Sequence, residues 1–376
     1  MILKDGITMK KLSIFLFTFM MIFFLPSCKK RNDSFVISEF IENGFNSAIE
    51  LYNGNNKEIN LENYHLEFYF TTIKKVFLKG TLPAKTTYVI AYESEYLIDE
   101  LRQKADLLLN QFLFSGKNAI ALKKEKKIID ILGTTNDFST YCEQKSIVRK
   151  EKYLRSTTKF DEYEWIRYSP NDYSHLKSVR NDITEEELLE GPKLTLEDMA
   201  RPFYNENNSS LGGGGVVPVT VASYGDGDTT NFYFPSELGV GNVVRVRYQN
   251  VDTRETMEHL TQEWGVPAKN FTNSELQKAF LIRIQSVLNG SIFETFGRML
   301  GWIWVDDELL NFKLVKEGYS EVQFGESDSS YKGILYTDFL YHAELYAKRN
   351  KLKLHGEKDP TWNYETNEPK RKYNYV

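Results

Sequence analysis

Four acidic residues in two short stretches have a spacing that suits metal-assisted chemistry. Asp226 and Asp228 flank a glycine in a tight-turn sequence, and Asp252 and Glu255 stand three residues apart. Hard carboxylate oxygens of this kind suit Ca²⁺, whereas the sequence has no paired His/Cys cluster of the kind that zinc prefers. Taken alone, the Asp-Gly-Asp triplet also fits an ordinary hairpin turn. The two stretches together are candidate ligands for a cation.

Two arginines add groups that bind phosphate. Arg247 shares one face of a predicted strand with Arg245, and Arg298 follows a glycine, so its planar fork is free to leave the chain beside a turn. Arg247 and Asp252 are five residues apart, so a regular strand aims them oppositely. For both to reach one site, the chain must bend near Asn250–Val251. Carboxylates, a cation and arginines are together what phosphodiester hydrolysis needs, since a cation binds the phosphate oxygens and donors stabilise the transition state.

The elements that must position these residues read as strands followed by helices. Thr272 and Glu275 form a capping-box sequence that predicts the start of one helix. This order is typical of an α+β domain built on a small barrel. The further predicted elements are strands at 218–222, 231–234, 243–248 and 300–305 and helices at 310–316 and 331–351.

The first half of the chain reads as short strands separated by turn residues, which predicts a β-sandwich. A stretch from Ser94 to Leu109 breaks the pattern and predicts a helix or a long connection. No His, Cys or Asp cluster with catalytic or metal-binding spacing occurs in this half. The predicted strands are 35–37, 48–52, 64–70 and 87–91.

Between the halves lies an acidic stretch that ends in four glycines, Gly212–Gly215. Because consecutive glycines fix no backbone conformation, the run predicts a flexible linker. A phosphate-binding loop is less favoured, since no Lys-Ser/Thr pair follows. The predicted organisation is a sandwich at 34–180, an acidic and Gly-rich linker at 181–215, a second domain at 216–357 and a polar tail at 358–376.

The N-terminus has the pattern of a targeting segment. Lys10 and Lys11 precede an apolar run, Leu12–Phe24, that is short for a membrane span. The sequence that ends at Cys28 resembles the bacterial lipobox, which predicts a signal peptide at 1–27 and a lipid on that cysteine. An uncleaved N-terminal membrane anchor is the alternative. We expect the protein to be exported and to be held at a membrane by its lipid anchor, in the cell envelope or at the cell surface.

Charge limits the way in which the chain can bind a partner. The sequence has 47 Lys and Arg against 52 Asp and Glu, a formal net charge of −5. From residue 216 onward the balance is 18 basic against 22 acidic residues. A domain of this charge cannot coat nucleic acid nonspecifically, so affinity has to come from a cation, the two arginines and local patches.

The motifs of the second half resemble the thermonuclease (staphylococcal-nuclease-like) domain. The resemblance implies an OB-type five-stranded β-barrel with three helices and a Ca²⁺-dependent nuclease acting on DNA and/or RNA. It implies that Asp228 and Asp252 ligate Ca²⁺ directly and Thr253 through its carbonyl. The motifs that carry it, in order, are Tyr224–Thr229, Val246–Glu255, Trp264-Gly265 with Ala268, Phe296–Arg298, Leu314–Tyr319 and Ala343–Lys348.

The same resemblance implies the catalytic roles. Glu255 would hold or deprotonate the attacking water. Arg247 and Arg298 would bind the scissile phosphate and stabilise its charge.

The strand motifs of the first half resemble the lamin-tail domain, an immunoglobulin-like sandwich. This resemblance implies a binding or positioning module whose ligand is unknown. The predicted fold class is therefore mainly β plus α+β, with the sandwich followed by the barrel. The motifs are Ile37–Phe40, Ala48–Asn53, Leu113–Leu122, Ile129–Gly133 and Glu164-Trp165.

Two hypotheses about function remain open at this point. The first is a lipid-anchored extracytoplasmic nuclease. The second is a catalytically weak or inactive surface lipoprotein that binds nucleic acid or acts in adhesion. A purely structural envelope protein leaves the carboxylates and arginines unexplained.

Overall fold

The computed structural model describes residues 34–257, 260–323, 325 and 327–370. Cys28 and the predicted signal peptide lie outside these residues. None of the helices in the described ranges has the length and apolar character that crossing a bilayer demands.

Two sheets of the first half pack face to face. The strands are β1 (Phe35–Glu42), β2 (Ala48–Asn53), β3 (Ile59–Asn60), β4 (Tyr64–Tyr69), β5 (Ile73–Phe77), β6 (Thr81–Leu82), β7 (Thr87–Tyr92), β8 (Leu107–Leu109), β9 (Ile120–Lys124), β10 (Lys127–Leu132), β11 (Lys145–Arg149) and β12 (Trp165–Tyr168), with one helix, α1 (Asp99–Lys104). A six-stranded sheet has the order β12-β11-β1-β2-β7-β8, and a four-stranded sheet has the order β10-β9-β4-β5.

The sandwich core forms because β-branched and aromatic residues face inward from both sheets. Phe40 packs between the sheets 6.4 Å from the ring of Phe114, and both are fully buried. Burial of this apolar surface is the main stabilising contribution. The predicted strands of this half are confirmed, and the segment from Ser94 to Leu109 contains the short helix α1 and the strand β8.

The second half contains a closed barrel and its helices. The three helices that the nuclease-like resemblance implies are the ones that begin at Gly265, Leu310 and Tyr336. The elements are α2 (Glu185–Glu190), α3 (Leu196–Ala200), β13 (Tyr204–Asn205), β14 (Asn208–Gly213), β15 (Val216–Tyr224), β16 (Thr229–Tyr233), β17 (Val243–Tyr248), β18 (Val251–Thr253), α4 (Gly265–Lys278), β19 (Ile282–Ser286), β20 (Leu288–Ser291), β21 (Met299–Val305), β22 (Glu308–Leu309), α5 (Leu310–Lys316), β23 (Ser320–Val322), β24 (Ser330–Tyr331), β25 (Ile334–Leu335), α6 (Tyr336–Asn350), β26 (Trp362–Asn363) and β27 (Glu368–Pro369).

Five strands close the barrel. The sheet runs β17-β16-β15-β19-β21, and a parallel pairing of β17 with β21 joins its two ends. Trp302 and Trp304 of β21 are fully buried and pack against the ring of Tyr336 at the start of α6, at 5.3 and 6.0 Å. A sandwich followed by a five-stranded barrel with three helices is the fold class that the sequence predicts, and it is confirmed.

One helix begins earlier than its capping-box sequence predicts. Helix α4 starts at Gly265, so Thr272 lies inside it and not at its N-cap. The Thr272 hydroxyl instead donates a hydrogen bond of 2.6 Å to the carbonyl oxygen of Gly227. The prediction fails because the Thr side chain is used for tertiary contact, which local sequence does not reveal.

The glycine run is not a flexible linker. Gly212 and Gly213 end β14, which pairs with β20 beside the barrel. A Cβ atom on Gly212 would lie 1.8 Å from the carbonyl oxygen of Val287. Glycine is therefore needed for close backbone approach and not for freedom of motion. The acidic stretch before it forms α2 and α3, and Leu188 of α2 is buried in the barrel core.

The sandwich and the barrel form one compact unit. The edge of the sandwich contacts helix α6: Lys145 pairs with Asp338 at 2.6 Å, and the ring of Tyr163 stacks on His342 at 4.8 Å. Val148, Ile166 and Tyr168 of the sandwich join the hydrophobic cluster of the barrel. The predicted polar tail also folds back, since the Asp359 carboxylate accepts from the Trp264 N–H at 2.7 Å.

Candidate active site

A break between two strands brings Arg247 to Asp252. Strand β17 ends at Tyr248 and β18 begins at Val251, with Asn250 between them in the left-handed region at φ 59°. The Arg247 Nη2 then donates to Asp252 Oδ1 at 2.6 Å. The bend expected at Asn250–Val251 is thus present, and it turns two residues of opposite parity toward one site.

Asp228 lies at the centre of the site and is 3% exposed. Its Oδ2 accepts from the Thr253 N–H at 2.7 Å and from the Thr253 hydroxyl at 2.9 Å. Its Oδ1 forms an ion pair with Arg247 Nη1. Gly227 permits this packing, because a Cβ there would lie 2.8 Å from the Thr253 Oγ1.

Arg247 therefore bridges two carboxylates with its two terminal nitrogens. Burial acts to lower the pKa of Arg247, but the Asp228 and Asp252 carboxylates outweigh it and raise the pKa above its usual value. The guanidinium stays charged, and its planar fork is fixed in one orientation.

Glu255 follows β18 on an exposed loop. Its backbone is held on both sides by Gln262: the Glu255 N–H donates to Gln262 Oε1 at 3.1 Å, and the Gln262 N–H donates to the Glu255 carbonyl at 2.9 Å. Partial burial, followed by the negative charges of Asp226, Asp228 and Asp252, raises the pKa of the Glu255 carboxyl. A carboxylate of raised pKa is a stronger base than an ordinary glutamate.

The donor set fits a hard divalent cation. Asp228, Asp252 and the Thr253 carbonyl supply only oxygen, the ligand atom that Ca²⁺ prefers. The negative charge that raises the pKa of Glu255 is also charge that a cation would neutralise. Within the described ranges no group of three or more His, Cys, Asp or Glu side chains is placed to hold a metal ion; the candidate set here is two carboxylates and one backbone carbonyl.

Arg298 stands apart from this cluster. It precedes β21, and its guanidinium forms a two-nitrogen ion pair with Glu294, with Nη2 to Oε2 at 3.0 Å. Within the described ranges, the Arg298 side chain forms its ion pairs and hydrogen bonds with Glu294. The structure thus brings together Arg247, Asp228, Asp252 and Thr253, and it leaves Arg298 on a neighbouring turn.

Sequence reasoning missed three residues that position the site. Thr272 ties α4 to the loop of Asp226 and Asp228 through its bond to Gly227, and the Ser320 hydroxyl accepts from the Asp252 N–H at 2.8 Å. Glu294 holds Arg298. Neither contact has a signal in the sequence: Ser320 is distant from Asp252 along the chain, and Glu294 reaches Arg298 across a turn and not along a helix.

Comparisons with known proteins agree with both halves of the fold. Residues 29–136 match the family model described as "Lamin Tail Domain", and residues 245–355 match the one described as "Staphylococcal nuclease homologue". The two resemblances drawn from the sequence are confirmed. Arg247, Asp252, Thr253, Glu255 and Arg298 lie inside the second match, and Asp228 lies before it.

Three curated relatives are similar to this chain. A "Thermonuclease" of Staphylococcus intermedius is 34% identical over 94 residues, which is 24% of this chain and 54% of the relative. An "SPbeta prophage-derived endonuclease" of Bacillus subtilis (strain 168) is 29% identical over 141 residues, 37% of this chain and 44% of the relative. A "Thermonuclease" of Staphylococcus hyicus is 29% identical over 94 residues, 24% of this chain and 54% of the relative. The chain thus spans about half the length of these relatives.

Proposed function

We propose that this chain is a lipid-anchored, extracytoplasmic, Ca²⁺-dependent nuclease that hydrolyses phosphodiester bonds of DNA and/or RNA. The observation that carries the proposal is the bridge that Arg247 forms between the buried Asp228 and the half-exposed Asp252, beside the exposed carboxylate of Glu255. The nuclease names of the relatives support it.

Each residue has a definite task in this proposal. Asp228, Asp252 and the Thr253 carbonyl would hold Ca²⁺, which when bound supplies charge to the phosphate oxygens and to water. Glu255 accepts the proton of the attacking water. Arg247 stabilises the charge of the five-coordinate transition state, and Arg298 joins it after leaving Glu294.

The test is digestion of DNA and RNA by the purified full chain, with Ca²⁺ or with a chelator. We expect cleavage that the chelator abolishes. Asp228→Ala should weaken metal binding, so activity returns in part at high Ca²⁺. Glu255→Gln should lower kcat without rescue by Ca²⁺. Wild-type rates for Glu255→Gln would remove this residue from the mechanism.

One observation favours the alternative, a catalytically weak or inactive chain that binds nucleic acid. Arg298 is already satisfied by Glu294 and points to no carboxylate of the cluster. A chain that binds an oligonucleotide in Ca²⁺ but never cleaves it would support this reading over the first.

The membrane anchor is a separate part of the proposal. Its support is the lipobox-like sequence that ends at Cys28. Cys28→Ala should abolish labelling by a lipid precursor and release the protein from the membrane fraction. Equal retention of both forms without any label would favour an uncleaved apolar segment. In this arrangement the sandwich lies between the anchor and the barrel along the chain, as a binding or positioning module.

A further inference from the structure

The outer face of the barrel sheet carries a row of side chains that leads away from Arg247. In the antiparallel pairing of β16 with β17, Asn231 lies opposite Arg245, and Tyr233 lies opposite Val243. Because opposed residues share a face and a face repeats every second residue, this row continues the face of Arg247. At ~3.3 Å per residue, Tyr233 and Val243 lie about 13 Å from Arg247 along the strands.

The middle of this row is basic. Arg245 is exposed, and it forms no ion pair with any residue in the described ranges. Beside it, Asn231 donates a hydrogen bond of 2.7 Å to the Ser223 hydroxyl, which fixes polar groups on the same face. Val246 pairs with Met299 in the parallel pairing of β17 with β21. The residues that precede them in the two strands, Arg245 and Arg298, are therefore also neighbours. Because Arg298 is paired with Glu294, Arg245 is the residue that extends positive charge outward from the site although the domain is net acidic.

The far end of the row is aromatic. A groove of about 610 Å³ lies between strands β15 and β16 and the turn after α4. Among the residues that line it, Phe280 is 97% exposed, Tyr233 45% and Tyr224 39%. Tyr224 leads directly into the loop of Asp226 and Asp228. Exposed aromatic residues grouped beside a site indicate a binding surface.

We propose that Tyr233 and Phe280 form a base-stacking subsite for an unpaired nucleic-acid strand, with Arg245 contacting the phosphate that lies between it and Arg247. The inference rests on the proposed function and adds the path of the substrate. The flat faces of bases stack on aromatic rings, and a duplex does not present those faces. One OB barrel contacts about 4–16 nucleotides, enough to reach from the cluster to the groove.

The experiment compares a long and a minimal substrate for the full chain. Tyr233→Ala and Phe280→Ala should each lower kcat/KM for a labelled oligothymidylate on the order of tenfold relative to the dinucleotide TpT, because stacking on one ring contributes this much. Anisotropy of the oligothymidylate should show the same loss of affinity. Phe280→Trp should retain binding, since a larger ring still stacks. The matched control is Phe138→Ala, which removes an exposed aromatic ring of the sandwich.

The outcomes separate this inference from the proposed function. If the wild type cleaves but both alanine variants behave as Phe138→Ala does, the stacking subsite is overturned and the nuclease stands. If the wild type only binds, and the variants lose binding, the subsite stands and the nuclease falls. If the wild type neither binds nor cleaves, both are overturned.

Discussion

Arg247 and Arg298 are held in opposite ways, and this difference decides what each can contribute. Arg247 is fixed between two carboxylates of the cluster, whereas Arg298 is held by Glu294 on the turn before β21. The odd spacing of Arg247 and Asp252 was enough to predict a bend, because strand parity is a fixed geometric rule. The partner of Arg298 was not predicted, since which carboxylate wins an arginine depends on tertiary geometry.

The first prediction concerns the fork of Arg298. If it stabilises the transition state, Arg298→Lys should lower kcat by about 10²–10³, because Lys offers a point charge where two phosphate oxygens need a planar pair of donors. Single-turnover cleavage of an oligonucleotide measures this. Arg102→Lys is the control, since Arg102 forms a comparable ion pair with Glu93 in the sandwich. Equal rates for Arg298→Lys and the wild type would place Arg298 outside the mechanism.

Buried glutamates of the sandwich give a second prediction, which concerns pH. Burial raises the pKa of Glu50 to about 7, against hydrogen bonds from Ser38 and from the Lys177 N–H that lower it. The side chain is 1% exposed, opposite Glu39 on the neighbouring strand. Because the folded pKa lies above the unfolded value of 4.5, the folded state holds a proton that the unfolded state has lost. The protonated Glu50 carboxyl therefore stabilises the folded state fully below the unfolded pKa, and this stabilisation is lost as the pH rises through about 7.

Glu50→Gln should remove that loss. We expect the free energy of unfolding of the wild type to fall by about 2 kcal/mol more than that of the variant between pH 5 and 7. Urea denaturation at several pH values measures it, with the exposed Glu62→Gln as control. Parallel curves for the wild type and Glu50→Gln would show that Glu50 is not protonated in the folded state.

At the scale of elements, the strands were predictable and the contacts between elements were not. Runs of β-branched and aromatic residues between turn residues predicted the sandwich strands, which are buried on both faces. Alternation predicted β17, whose burial repeats every two residues. Thr272 was misread because its capping-box sequence is local while its partner, the Gly227 carbonyl, is distant. The glycine run was misread because a flexible glycine and a closely packed glycine look identical in sequence.

A third prediction follows from the packing of that run. Gly212→Ala should destabilise the fold by about 1–3 kcal/mol or more, because its Cβ would clash with the backbone of Val287, which cannot move as a side chain can. Gly239→Ala is the control: its Cβ would meet nothing within 4 Å, and only the strain of φ +67° remains. Thermal unfolding of both variants measures the difference. A freely mobile linker would instead leave Gly212→Ala at wild-type stability.

At the scale of the whole molecule, the sandwich and the barrel depend on each other. The hydrophobic cluster of the barrel includes Tyr168 of the sandwich and Leu188 of α2. Polar contacts follow the same boundary, since Arg349 of α6 pairs with Asp161 at 2.7 Å and the Arg167 guanidinium lies 3.7 Å from the ring centre of Tyr341. A prediction from sequence places a domain boundary where the composition changes, but in this protein the side chains of the two halves pack against each other at that boundary.

The fourth prediction is that cutting the chain at the glycine run does not release a stable barrel. A 216–376 fragment lacks β14, which pairs with β20, and it lacks the Phe203 carbonyl, which accepts from the Ser286 hydroxyl at 2.6 Å. It also exposes the apolar face on which Leu188 and Tyr168 pack. A 181–376 fragment keeps β14, Phe203 and Leu188 and loses only the sandwich.

We therefore expect the urea midpoints of unfolding, measured by tryptophan fluorescence, to fall in the order full chain, 181–376, 216–376. Equal midpoints for the two fragments would show that α2, α3 and β14 add nothing to the barrel. A 216–376 midpoint equal to that of the full chain would show that the barrel is stable by itself, as a flexible linker at the glycine run would allow.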